Sequence, residues 1–429
     1  MAQPSSPFSV PESSTRSPGS APVIPDTNTN TDPRAHLLDT QLGQDTTPSS
    51  LRLPVLVPAA EYGYSTHSHA ALLANRFTFH ESEAPGDHDD NTLNFSNLNL
   101  LCPINANDIK NHWIQAYIPV PGQAVKTYPA GVSTFIYRTL KSYTATAVKG
   151  RGPLLPFVHP MQMKVSQGAG DSSALAACLK LVRVCSTTST SASGDYDRGS
   201  RDAVVGIIQR EMHRLYNEST HSININRDRG CGSVSLSLLA TFQSYLLYTM
   251  TLFFHVDLHH HSTTNNDNDN IQSLRVLMTN LQDLACACAR QGLLCTAESA
   301  AIRTRPRWEE WIVAEATRRT LYIMYLFDSI LSTQEGLPTF LGVELRGLLA
   351  PAPGLLWRAR HRREWEAEYN LFMLEWGDGA LRIDELWPET GELDEREKEW
   401  RKGRVERWVE GLDEYGTMLY AIMQCTHGG

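Results

Sequence analysis

Eight of the nine tryptophans lie between Trp308 and Trp408, where they recur among charged residues at helical spacing. Indole is the largest side chain and stabilises a fold mainly by being buried, so a chain that concentrates it here must pack helices against one another. The block RPRWEEWIVAEATRRTLYIMYLFDSIL (305–331) carries the constraint furthest. Pro306 sits just ahead of a helix beginning near Trp308, with Glu309 and Glu310 at the positive end of its dipole. Leu321–Phe327 is an unbroken apolar run that must be buried, and Gly336 and Pro338 predict the stop. Pro351, Pro353 and Gly354 predict a loop that places Leu356 and Trp357. His361–Leu374 predicts another helix, with Trp365, Tyr369 and Phe372 on one stripe. A last helix is predicted over about Arg396–Gln424, burying Val405, Trp408, Val409, Leu412, Tyr415, Leu419, Ile422 and Met423.

Upstream, the same three- and four-residue spacing predicts helices over Ser133–Val148, Ser172–Cys185, Arg201–Asn217, Val234–Val256 and Ile271–Ala289. In Arg201–Asn217 the apolar stripe is Val204, Ile207, Ile208, Met212 and Leu215, with Arg210, Glu211 and Arg214 on the far side. Alternating runs are few and there is no Asn-Gly hairpin turn, so little strand is expected. The fold class is all-α: one large helical domain of two packed lobes over 101–429, behind an N-terminal tail over 1–100. That tail should be disordered. Residues 1–60 hold 10 of the 23 prolines among Ser, Thr, Asn and Asp, too little apolar surface to offset the entropy of ordering. In Glu81–Leu101, acids run into Leu93, Phe95, Leu98, Leu100 and Leu101, which reads as an acidic linker or as an activation segment. Residues 257–270, which include LHHHSTTNNDNDN (258–270), predict a polar low-complexity loop between the two most apolar helices.

Charge excludes some functions. The formal net charge is −9, which argues against a broad basic surface for DNA or anionic lipid. Residues 301–429 hold 40 of the 85 Asp, Glu, Lys and Arg, so the C-terminal helices carry solvated charged faces while the middle is more buried. The start, MAQPSSPFSV, has no basic run and no apolar core, so no secretory signal is expected. The longest apolar run, Leu236–Val256, reaches spanning length. It contains Gln243, two Ser, three Thr and His255, which fits a central buried helix and not a membrane span. In a reducing compartment the eight cysteines then act as free, packed thiols.

Several segments together resemble the regulatory ("fungal-specific transcription factor") domain of fungal zinc-finger transcription regulators. They are Leu155–Gln162 (LPFVHPMQ), Ala176–Val184 (AACLKLVRV), Arg210–Leu215 (REMHRL), Leu238–Phe254 (LLATFQSYLLYTMTLFF), Leu281–Leu294 (LQDLACACARQGLL), Trp308–Asp328, Ala350–Trp365 (APAPGLLWRARHRREW) and Trp408–His427. They run in collinear order over roughly 105–427. The resemblance implies an all-helical regulatory domain in a nuclear regulator of RNA polymerase II transcription, of a kind often tied to a biosynthetic gene cluster. Its implied partners are the transcription machinery or another transcription factor, with homo- or heterodimers as the assembled form. The family's DNA-reading module departs: a binuclear zinc cluster needs six Cys opening with Cys-x2-Cys, and a C2H2 finger needs paired Cys and His. No two cysteines here are spaced as Cys-x2-Cys. DNA contact by this chain alone is therefore not expected; the module is lost, missing from the sequence, or supplied by a partner. The alternatives are a non-DNA-binding scaffold that dimerises with a full-length relative, and an all-helical enzyme of unrecognised type.

No residue is assigned a catalytic, cofactor-binding or metal-binding role. His255, His259, His260 and His261 with Cys286, Cys288 and Cys295 do not converge as a tetrahedral zinc set requires, because positions i and i+2 of a helix face apart. Asp87, Asp89 and Asp90, or Asp267 and Asp269, fall in segments expected to be unstructured and are not pre-organised for magnesium. Gly168-Ala-Gly170 lacks a surrounding βαβ unit, and Asp171 or Ser172 is expected to cap the next helix. There is no G-x-S-x-G elbow, H-E-x-x-H pair or P-loop. Glu315, Arg318 and Arg319 flank the buried run. They are expected to form structural ion pairs, with Asp328, Glu344 or Glu364 as partners; the alternative is an effector pocket built on the Arg pair.

Overall fold

In the computed structural model, helices form at each place where apolar periodicity predicts them. The structure describes residues 93–116, 118, 125–126, 128–168, 173–188, 196–229, 235–255, 267–340, 342–387 and 394–427. In chain order the helices are α1 (Ala106–Lys110), α2 (Ala130–Lys149), α3 (Pro160–Gly168), α4 (Ala174–Thr188), α5 (Tyr196–Arg229), α6 (Ser235–His255), α7 (Asp267–Gln291), α8 (Trp308–Gln334), α9 (Gly354–Arg358), α10 (Arg362–Glu375), α11 (Glu395–Glu410) and α12 (Glu414–His427). Strand among the described residues is confined to two-residue pieces: β1 (Leu100–Leu101), β2 (Val125–Lys126), β3 (Leu294–Cys295) and β4 (Thr339–Phe340). β1 pairs antiparallel with β3, Leu100 opposite Cys295, and β2 pairs antiparallel with β4. The fold is all-α.

Helix α8 organises it. Residues 308–332 of this helix are all buried, so it has almost no solvent face. Its first half, through Trp308, Trp311 and Ile312, packs in one core with Trp357 of α9 and Trp365 and Tyr369 of α10. Its second half, from Leu321 to Leu331, packs in a larger core with residues such as Leu140 of α2, Val182 of α4, Ile208 of α5, Leu246 of α6 and Leu281 of α7. Both cores lie within one compact unit over 84–429. Between them lie buried Thr317, Arg318, Arg319 and Thr320.

The ends of α8 follow local chemistry. Glu310 accepts from the Arg307 backbone N–H at 3.3 Å, closing the first turn. Gly336 adopts φ +67°, the left-handed conformation that ends a helix, and the Leu337 N–H reaches back to the Ser332 carbonyl at 2.8 Å. The apolar run in α6 is a core helix: residues 238–254 are all buried, against α2, α4, α5, α7 and α8. Its Ser244, Thr249 and Thr251 hydroxyls each donate to the carbonyl four residues back.

Several expectations need correction. The single C-terminal helix is two: α11 stops at Gly411, whose carbonyl accepts from the Gly354 N–H at 2.8 Å, and Asp413 caps α12 through the Gly416 N–H at 2.8 Å. Of the apolar residues assigned to that helix, Trp408, Tyr415, Leu419 and Ile422 are buried, and Val405, Val409, Leu412 and Met423 are half-buried. In α5 the buried stripe is Val204, Ile208, Met212 and Leu215, while Ile207 is exposed because it falls about 100° off that stripe. The low-complexity loop over 257–270 ends early, since α7 already begins at Asp267; residues 256–266 lie outside the described residues. The cap of α4 is Ser173, whose Oγ accepts from the Leu175 N–H at 3.3 Å; Asp171 and Ser172 lie outside the described residues.

The tail over 1–100 is corrected at its end. Residues 1–92, including Asp87, Asp89 and Asp90, lie outside the described residues. Leu93–Leu100 do not: they run across the domain as an extended strap, with Leu93, Phe95, Leu98 and Leu100 half-buried against the Trp-rich core.

Candidate functional site

Where the two cores meet, α8 turns Glu315, Arg318 and Arg319 inward, and with Asp413, from the turn between α11 and α12, they form a closed ionic node. The Arg319 guanidinium donates to Glu315 Oε1 at 2.7 Å, Asp413 Oδ2 at 2.7 Å, the Ala352 carbonyl at 3.1 Å and the Pro156 carbonyl at 3.3 Å. It also lies over the rings of Trp357, 4.2 Å from the centroid, and Tyr415, at 4.8 Å. Arg318 donates to Glu315 Oε2 and to the Leu293 carbonyl, both at 2.6 Å. Glu315 Oε1 accepts in addition from the Ala352 N–H at 2.9 Å. Two guanidinium and two carboxylate groups make the node formally neutral, and three further donors end on the Leu293, Ala352 and Pro156 carbonyls, while Arg318 Nε is buried without a partner. Such pairing is the condition under which buried charge is tolerated.

Burial alone raises the Glu315 carboxyl, but Arg318 and Arg319 beside it win and hold it below the usual carboxylate range. The group therefore stays ionised near neutrality and acts as a fixed clamp, with no proton to exchange.

A polar–aromatic layer borders the node. His159 Nδ1 accepts from the Met161 N–H at 3.2 Å, which puts the ring proton on Nε2. The ring meets Trp308, Trp311 and Trp357 edge-on at 6.2, 6.4 and 4.9 Å. Burial, aided by Arg319, pushes its pKa down to about 3, so it is a neutral packing element. Gln243 of α6 donates to the Phe157 carbonyl at 2.8 Å, and Gln162 in turn binds the His159 N–H at 2.7 Å. Trp308 stacks on Trp365 at 6.4 Å.

The sequence foresaw the Glu315–Arg318–Arg319 cluster and its structural pairing but not its partner. Asp328 and Glu344 bind elsewhere, and Glu364 accepts from the Arg360 N–H at 2.8 Å. Asp413 comes alongside because the chain breaks at Gly411. Of the Arg pair, Arg318 alone lines a cavity here, and that cavity, of about 20 Å³ and bounded also by Glu298, Trp311, Phe372, Trp376 and Trp408, has room for about one water.

A second cluster was not foreseen. His112, on a 3-10 turn (His112–Ala116), sits between Glu344 Oε1 at 2.6 Å and Asp328 Oδ2 at 3.5 Å. Tyr325 Oη donates to the same Glu344 oxygen at 2.6 Å, and Arg275 of α7 binds Glu335 and Asp328. Burial lowers the His112 pKa, but hydrogen bonds and charge from Asp328 and Glu344 together outweigh it and raise the value to about 9. His112 is therefore an imidazolium at neutral pH. No sequence spacing links residues 112, 328 and 344.

Among the described residues no group of three His, Cys, Asp or Glu could hold a metal ion. His255 pairs with Thr144 Oγ1 at 3.0 Å. His259, His260 and His261 lie outside the described residues, as does Gly170. Cys286, Cys288 and Cys295 are free and buried, and burial raises their thiols, the reverse of what a ligating thiolate needs. Asp267 and Asp269 lie two apart at the start of α7. The chain matches no protein-family model, no curated protein and no solved structure.

Proposed function

We propose that this chain is the regulatory and interaction domain of a nuclear transcription regulator of the fungal zinc-finger type. One observation carries the reading. Six of the eight segments that resemble that family, though far apart in sequence, meet at the ionic node and the polar–aromatic layer that borders it. Leu155–Gln162 brings Phe157 and His159, Leu238–Phe254 brings Gln243, and Leu281–Leu294 brings the Leu293 carbonyl. Trp308–Asp328 brings Glu315, Arg318 and Arg319; Ala350–Trp365 brings Ala352 and Trp357; Trp408–His427 brings Asp413 and Tyr415. A resemblance spread along the chain thus concentrates on one set of mutual contacts.

In this reading the node fastens the helices into one rigid body, and their outer faces engage partners. Two open grooves, of about 400 and 450 Å³, flank α12 and offer such faces. The acid-rich residues before 91 would meet the transcription machinery, and regulation of a biosynthetic gene cluster would be the biological setting.

The test is to tether the full chain to a heterologous DNA-binding module upstream of a reporter, and to follow a fluorescent fusion in the cell. The expected outcome is nuclear accumulation and a several-fold change in reporter output. The purified chain alone should retard random DNA duplexes no more than a non-specific background across a salt series. An unchanged reporter from a folded, nuclear fusion sinks the proposal.

A further inference from the structure

The strap Leu93–Leu101 is held in the manner of a bound peptide. Glu309 and Glu310, both buried at the first turn of α8, accept from strap backbone: the Asn94 N–H to Glu309 Oε1 at 3.0 Å and the Asn99 N–H to Glu310 Oε1 at 3.1 Å. Arg362 of α10 holds Glu309 in place through two bonds, at 2.6 and 3.2 Å. Arg307 donates to strap carbonyls, Asn94 at 2.7 Å, Asn97 at 3.3 Å and Ser96 at 3.4 Å. Beyond these, the Thr296 N–H donates to the Asn99 carbonyl and the Leu293 N–H to the Leu101 carbonyl, both at 2.9 Å, as β1 joins β3.

All seven of these strap contacts read the main chain. Sequence enters through Leu93, Phe95, Leu98 and Leu100, which lean on the Trp-rich core at the first, third, sixth and eighth positions. Main-chain bonds for affinity, with spaced apolar anchors for specificity, are how proteins bind extended peptides. The seating is shallow, because all four anchors are only half-buried. It is also strained, since Asn97 sits in the left-handed region at φ +51°.

We propose that this face is a peptide-binding groove which the chain fills with its own strap, and that the strap of a second copy is the ligand that replaces it. The second copy is the occupant because its strap offers the backbone bonds and apolar spacing the groove already accepts. Strap and groove lie on one chain, so two copies exchanging straps satisfy both grooves and close the assembly. In the monomer the tethered strap has a high effective concentration and keeps its seat. Exchange takes over when the tethered strap is weakened. This inference does not rest on the transcriptional reading.

Complementation of two full-length variants tests it. Phe95→Asp/Leu98→Asp removes the strap's anchors and leaves the groove. Arg307→Glu spoils the groove at a side chain that is 40% exposed and leaves the strap. Each variant alone sediments as a monomer, and an equimolar mixture gives a one-to-one heterodimer. A mixture that stays monomeric, while both chains keep their helical circular dichroism, overturns the proposal. Should the double aspartate chain fail to fold, Phe95→Ala/Leu98→Ala carries the test with a fluorescein-labelled peptide of residues 92–101. Its fluorescence anisotropy should report binding at least tenfold tighter than to the same chain with Arg307→Glu added. Equal affinity, or none, refutes the groove.

Discussion

Raising the pH should loosen this domain through one residue, His112. Its imidazolium lies between Asp328 of α8 and Glu344, with Tyr325, Arg275 and Glu335 beside them. The folded pKa is raised from 6.5 to about 9, so the folded state binds this proton more tightly than the unfolded chain does. The stabilisation is complete below pH 6.5 and is lost as pH climbs through 9. At about 1.4 kcal/mol per tenfold change in proton affinity, the pairing is worth roughly 3 kcal/mol. The depressed carboxyl of Glu344 is the other side of the same pairing and is not counted again. Urea unfolding followed by tryptophan fluorescence, at steps from pH 6 to 9.5, should be run on the native chain and on His112→Gln. The native chain should lose about 3 kcal/mol more than the variant across that range. Two curves that stay parallel would show that His112 is neutral when folded, and the argument would fail.

Other substitutions probe the remaining contacts. Arg319→Lys keeps the charge but loses the planar fork that reaches Glu315, Asp413 and two carbonyls. It should cost about 3 kcal/mol or more by denaturant unfolding, where a surface arginine change costs a few tenths. Gly292→Ala places a Cβ 2.2 Å from Leu100 Cβ at a backbone φ of +137°, so it should destabilise by about 1–3 kcal/mol and speed proteolysis within 93–101 before any other site. At the acid end, Glu309 and Glu315 are held below their ordinary value by arginines that outweigh burial. Their contribution is present above pH 4.5 and lost as pH falls through the folded values, so hydrogen exchange at the Asn94 amide should quicken on acidification, relative to its intrinsic rate.

Much of the fold was legible because burial imposes a period on the sequence. Trp308, Trp311, Ile312 and the run after Leu321 announce α8, and Pro306, Gly336 and Pro338 mark its ends. Glu315, Arg318 and Arg319 drew notice because charges beside a buried run must find partners. Which partner comes alongside is a tertiary fact: Asp413 arrives through a break at Gly411 that the apolar spacing alone does not show. The strap was hidden by composition, since acidic residues before 91 colour the whole stretch, although Leu93, Phe95, Leu98 and Leu100 already stand nearly two apart. His112 gave no signal, because its partners lie more than 200 residues away on other elements.

Helix α8 has a consequence for how the chain is made. Synthesis runs from the N-terminus, so α2 to α7 are complete before the helix that fills their shared seam exists. Translating the residues from Gln291 to Gln334 takes roughly 2–9 s at cellular rates. Through that interval Leu140, Val182, Leu246 and Leu281 face an empty seat, and the nascent chain carries an apolar cleft that only its own later residues can close. A message cut short before Trp308 therefore yields no smaller working domain, only a sticky fragment that chaperones must hold or proteases remove.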